Sequence, residues 1–132
     1  MASDRTNPSP GALLVEDEAL VAMVAEEFLS ELGFEPISTR NATEAMQVID
    51  GGANLVVALV DVGLPDVRGD VLARRLRELR PEMPIVIASG YDQGDLMAQF
   101  ADDDRVGVLG KPYTEADLAR ALEDLGVTVN AA

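Results

Sequence analysis

A chain of 132 residues has room for one domain with a single core, and 10 Lys and Arg against 24 Asp and Glu leave a formal net charge of −14. So acidic a surface repels nucleic-acid backbones and anionic lipid, so neither direct nucleic-acid binding nor a membrane partner is expected. With no Cys and no His, disulfides, thiolate nucleophiles, imidazole bases and the commonest zinc ligands are excluded, and any chemistry must use carboxylates, Lys and hydroxyls.

Residues 1–10 are polar, include Pro8 and Pro10, and read as a disordered leader before a folded unit over 11–125 and a tail over 126–132. There is no apolar signal-like run at the start and no membrane-length stretch later, which sets the expectation of a cytoplasmic protein. The first strand is Leu13 to Val15, and the first helix runs from Ala19 to Leu32 and closes at Gly33. Phe34 to Ser38 is a second strand, suited to a sheet edge by Glu35 and Pro36. A second helix opens at Asn41 or Thr43 and runs to Ile49, where Asp50-Gly51-Gly52 breaks it. Leu55 to Val60 is apolar on both faces and therefore a central strand. A third helix begins at Gly69 or Asp70, turning Val71, Leu72, Leu76 and Leu79 inward, and Pro81 and Pro84 lead into a fourth strand, Ile85 to Ala88. Gln93 to Ala101 makes a short helix, anchored only by Leu96, Met97 and Phe100. Val106 to Leu109 is the last strand, and Thr114 caps a last helix to Leu125 with Asp117 in its first turn.

Strands and helices alternate five times, the pattern of an α/β doubly wound parallel sheet of (βα)5 type. The flavodoxin-like strand order 2-1-3-4-5 sets the first and third strands side by side, where Glu16, Asp17 and Asp61 meet at the carboxyl edge. Carboxylates that close repel by roughly a few kcal/mol per pair at an effective dielectric near ~20. A hard divalent cation relieves this, and Mg2+ with its preference for one or two carboxylates, waters and a phosphate oxygen is the natural occupant. Such a centre suits phosphoryl transfer to an Asp nucleophile, with Lys111 and the Ser89 hydroxyl on the same edge.

Glu16-Asp17 in Leu13-Leu14-Val15-Glu16-Asp17-Glu18, Asp61 in Asp61-Val62-Gly63-Leu64-Pro65, Ser89 in Ala88-Ser89-Gly90 and Lys111-Pro112 stand in that order at the right strand ends. Over residues ~11 to 125 the chain resembles the CheY-like receiver domain of two-component response regulators. The resemblance implies that Asp61 accepts a phosphoryl group from a phosphohistidine on a sensor histidine kinase or a histidine phosphotransfer protein. It further implies that Glu16, Asp17 and Asp61 hold Mg2+ with help from the Val62 backbone carbonyl, that Lys111 and Ser89 bind phosphoryl oxygens, and that the Lys111-Pro112 bond is cis. Receivers of this kind catalyse only their own phosphorylation and dephosphorylation and act as monomers or weak dimers. They dock their histidine partners through the first helix and the loop after the fifth strand.

Two departures bear on switching. The family's usual aromatic three residues before the Lys is Val108 here, whereas aromatics stand at Tyr91 and Tyr113. That pattern is similar to a subgroup of single-domain and hybrid-kinase receivers with a Phe-Ala-Thr-Gly-type motif and an aromatic after Lys-Pro. Tyr113 is then expected to replace the missing switch residue, acting with Ser89 and the weak fourth helix. Gly63, two residues after Asp61, leaves the line of water attack open unless Tyr91 covers it. Three settings compete: a single-domain regulator with no output domain, the receiver of a hybrid histidine kinase, and a phosphorylation-independent pseudo-receiver. A small aspartate-nucleophile phosphatase would need a second acid and a substrate cap, neither of which the sequence offers.

Overall fold

The computed structural model describes residues 9–129; the leader up to residue 8 and the last three residues lie outside them. Five strands, β1 (Gly11–Val15), β2 (Glu35–Thr39), β3 (Leu55–Asp61), β4 (Ile85–Ser89) and β5 (Val106–Gly110), form one sheet in the order β2-β1-β3-β4-β5. All the pairings are parallel. The helices between and after them are α1 (Ala19–Glu31), α2 (Ala42–Asp50), α3 (Gly69–Leu79), α4 (Gln93–Gln99) and α5 (Glu115–Asp124). The expected flavodoxin-like fold and strand order are thus present, with β3 between β1 and β4 and β2 at an edge.

Two cores sandwich the sheet. One joins Leu13, Val60, Ile85 and Ile87 to Ala45 of α2, Leu72 and Leu76 of α3, and Leu96 of α4. The other joins Leu14, Val57, Leu59 and Val86 to Leu29 of α1 and Leu118 and Leu122 of α5. Alternate strand residues supply the two faces, as a pleated sheet covered on both sides requires. Burial of a large aliphatic side chain stabilises the fold by roughly 1.5–3 kcal/mol relative to exposure, and these residues are almost wholly buried.

Local signals set the boundaries. Gly33 ends α1 at a positive φ of 97°, a left-handed conformation that costs a glycine little. At α2 the cap is Asn41, whose side chain accepts the Glu44 amide at 2.8 Å; Thr43 instead bonds Asp66. Thr114 and Asp117 form a reciprocal capping box on α5. Strand β1 starts two residues before the expected Leu13, because Gly11 already pairs with Glu35, and β2 is shifted by one residue, because Phe34 packs into the core before it begins. Val71 and Leu79 are exposed rather than inward, since α3 buries Leu72, Ala73 and Leu76, leaving Val71 on the flank and Leu79 at the rim. Beyond α5, Val127 and Val129 are partly buried against the α1/α5 core.

Candidate functional site

The carboxyl ends of β1 and β3 bring the acidic residues together. Register pairs Val15 with Val60, so Glu16 and Asp61 follow at the same level, and Asp17 comes next. One carboxylate oxygen from each of Glu16, Asp17 and Asp61 lies within 4.8 Å of the others. Glu16 and Asp61 are buried, whereas Asp17 is half-buried. The Glu16 amide donates to the Thr39 carbonyl at 3.0 Å, and its side chain accepts the Glu18 amide at 3.2 Å, which fixes the turn after β1.

Lys111 enters from the end of β5. Its amide donates to the Ser89 carbonyl at 2.9 Å, and its Nζ lies 2.8 Å from Asp61 Oδ1 and 3.7 Å from Glu16 Oε1. The Lys111–Pro112 peptide is cis, as the resemblance implied. One ammonium faces three carboxylates, and the imbalance is visible in Glu16. Burial above all, aided by the Asp61 and Asp17 charges, raises its carboxyl from 4.5 to about 6, against the Glu18 amide and Lys111. Burial is likewise the largest single influence on Lys111 and disfavours its charge, but the hydrogen bond and charge of Asp61, with Glu16 and Glu18, together outweigh it and raise the ammonium above its ordinary value. This donor set, hard oxygens in excess of positive charge, fits a divalent cation.

The Val62 carbonyl accepts the Gly69 amide at 2.8 Å, a bond that ties the end of β3 to the start of α3. Ser89 lies one residue beyond Ala88, the register partner of Asp61, and is fully buried. Its hydroxyl donates to Asp92 Oδ1 at 2.5 Å. Tyr91 is fully exposed, so it does not cover Asp61 or the open position at Gly63. Tyr113 lies in the layer opposite Val108. Its ring packs against Phe28 of α1 at 6.1 Å, within the α1/α5 layer, whereas Val108 and α4 belong to the opposite layer. It does not occupy the place of an aromatic at position 108. Burial, with the Glu16 and Asp61 charges, pushes its phenol up to about 12.

Polar residues to which the sequence reading gave no role complete the edge. Asp66, in the β3–α3 loop, accepts the Ala42 and Thr43 amides and the Thr43 hydroxyl at 3.0, 3.0 and 2.9 Å, tying that loop to the start of α2. These bonds lower its carboxyl to about 2, the Ala42 amide contributing most. Arg68 bridges Asp70 and Asp92 at 3.0 Å each. A Ser-Gly-Tyr-Asp stretch signals a side-chain-bonded turn, which was the one available hint to Asp92.

A five-stranded parallel sheet with acidic groups and a Lys at its carboxyl edge defines a receiver-like signalling domain. Residues 12–123 match the response regulator receiver domain family, and the chain belongs to that family. It is 28% identical over 118 residues to the sensor kinase CckA of Brucella abortus, covering 89% of this chain and 12% of that protein. It is 30% identical over 118 residues to the transcriptional regulatory protein PdtaR of Mycobacterium tuberculosis, covering 84% of this chain and 54% of that one. Among solved structures, a response regulator receiver protein from Sinorhizobium medicae superposes with a TM-score of 0.79 at 28% identity, over 89% of this chain and 95% of that chain. The chain therefore spans about one-eighth of the sensor kinase and about half of the regulator. Among the described residues no helix is long and apolar enough to cross a membrane.

Proposed function

We propose that Asp61 accepts a phosphoryl group from a phosphohistidine, that Glu16, Asp17 and Asp61 hold Mg2+, and that Lys111 and Ser89 meet the phosphoryl oxygens. The observation that carries this reading is the convergence of three carboxylates within 4.8 Å on one ammonium that lies 2.8 Å from Asp61. In the transfer, an Asp61 oxygen forms the bond to phosphorus as the N–P bond of phosphohistidine breaks, and the electron pair stays on the imidazole nitrogen. A bound Mg2+ supplies charge neutralisation at the phosphoryl oxygens. Lys111 exchanges its ion pair with Asp61 for one with the new phosphoryl group, keeping its charge at the same edge.

Acetyl phosphate with Mg2+ tests this without a partner protein. Intact-mass measurement is expected to show one added phosphoryl group on the wild type and none on Asp61→Asn or in excess chelator. An equal gain on Asp61→Asn would overturn the assignment.

For the histidine partner we favour the groove of Leu20, Val21, Val24 and Ala25 with Pro112 and Tyr113, which opens beside Lys111. Leu20 is 77% exposed and Val24 49%, apolar area in the groove that Lys111 also lines. Leu20→Asp is expected to slow transfer from a phosphorylated histidine phosphotransfer protein roughly tenfold or more while leaving the acetyl phosphate rate unchanged. Equal slowing of both reactions would place the defect in the site itself.

Our first reading is a single-domain regulator working in the cytoplasm. The second, the receiver of a hybrid kinase, is favoured by the sensor kinases among the relatives. An immunoblot of source cells separates them, by a band of the size of 132 residues or one several times larger.

A further inference from the structure

The Ser89 hydroxyl has one proton to donate, and here it goes to Asp92 Oδ1, 2.5 Å away. The hydroxyl oxygen is engaged too, accepting the Tyr91 amide at 3.3 Å. Asp92 is itself held in place. Its Oδ2 accepts from Arg68 Nη2 at 3.0 Å, and Arg68 Nε donates to Asp70 Oδ1 at 3.0 Å. Charge-assisted hydrogen bonds therefore run from the end of β4, through the residue preceding α4, to the first turn of α3. Bonds of this kind are shorter and roughly twice as strong as neutral ones. The Ser89 bond is the largest influence holding the Asp92 carboxyl below its ordinary range, followed by Arg68.

A phosphoryl group on Asp61 needs donors for its oxygens, and Ser89 is the hydroxyl next to it in the sheet register. The geometry points to Asp92 as a positioning residue that competes with the Asp61-borne phosphoryl group for the Ser89 proton, with Arg68 holding it in the competing pose. When Ser89 turns to the phosphoryl oxygen, Asp92 loses its partner and the link from β4 to α3 opens at the start of α4. The inference rests on the reading of Asp61 as phosphoacceptor. It also accounts for coupling without an aromatic in β5, since Val108, α3 and α4 share one layer and Tyr113 lies in the other.

The probe is beryllium fluoride with Mg2+, titrated into wild type, Asp92→Ala, Asp92→Asn, Ser89→Ala and the Ser89→Ala/Asp92→Ala double variant. Loss of a charge-assisted competitor is expected to tighten beryllium fluoride binding to Asp92→Ala roughly tenfold or more. Asp92→Asn, which keeps a neutral acceptor, should fall between Asp92→Ala and the wild type. Mg2+ affinity alone should not move, because Asp92 is not among the clustered carboxylates. In the Ser89→Ala background, Asp92→Ala should have no effect. A gain of the same size there would show that only the removal of a negative charge matters and would overturn the competition, as would unchanged affinity in the single variant. Wild type that binds no beryllium fluoride would instead overturn the phosphoacceptor reading, and the competition with it.

Discussion

Glu16→Gln is expected to stabilise the metal-free protein at pH 7 by about 2 kcal/mol while abolishing Mg2+ binding. The folded protein holds the Glu16 carboxyl at about 6, above its ordinary 4.5, so between those values the folded state binds more protons than the unfolded one. Stability from the protonated group is fully present below about 4.5 and is lost as pH rises through about 6, a difference of about 2 kcal/mol by pH 7. Gln carries no charge to desolvate and its side-chain oxygen still accepts the Glu18 amide. The advantage of Glu16→Gln should therefore be large at pH 7 in chelator and vanish near pH 4.5. Saturating Mg2+ reverses the order, because the wild type gains about 2.7 kcal/mol at one hundred times Kd and the variant gains nothing. Urea unfolding midpoints at pH 4.5 and 7, with chelator or Mg2+, check each part. A variant no more stable than wild type at pH 7 in chelator would mean that burial does not strain the charged Glu16 carboxylate.

The convergence of the carboxylates was legible in the sequence, because it needs only three acidic residues at strand ends and a strand order that sets two of those strands side by side. Periodicity and strand-end chemistry carried the architecture for the same reason: Leu55 to Val60 has no polar face and must be central, and it is. Periodicity failed where a helix is apolar nearly all round. In α1 the run from Ala19 to Ala25 does not say which residues face out, and of its large side chains Leu20, Met23 and Val24 are the exposed ones. It also says nothing of the side from which a loop residue approaches. Tyr113 stands just beyond Lys111 and Pro112 at the end of β5, yet packs on α1 rather than near α4. The Val62 oxygen was illegible because a backbone carbonyl's partner is chosen by the path of the chain, here by the Gly69 amide seven residues on. The Arg68–Asp92 bridge spans 24 positions between two surface loops, and no local pattern marks it.

The Gly69 position ties the fold to the site most tightly, and Gly69→Ala is expected to lower stability by about 3 kcal/mol, the upper end for overpacking. A Cβ at Gly69 would collide with the Asp61 carbonyl and the Val62 Cα, which are backbone atoms that no side-chain rotation can move aside. The strand end that carries Asp61 must shift, and with it the 2.8 Å contact to Lys111. Phosphorylation by acetyl phosphate should therefore fall along with the melting temperature. Gly94→Ala in α4 is the control, since its Cβ meets nothing within 4 Å. There the change should stabilise by roughly 0.5–1 kcal/mol through helix propensity and leave phosphorylation unchanged. Thermal melts and acetyl phosphate labelling of the two variants give opposite signs if α3 begins where it does because Gly69 lets it pass beneath Asp61. Equal behaviour of the two glycines would remove that constraint from the account of the site.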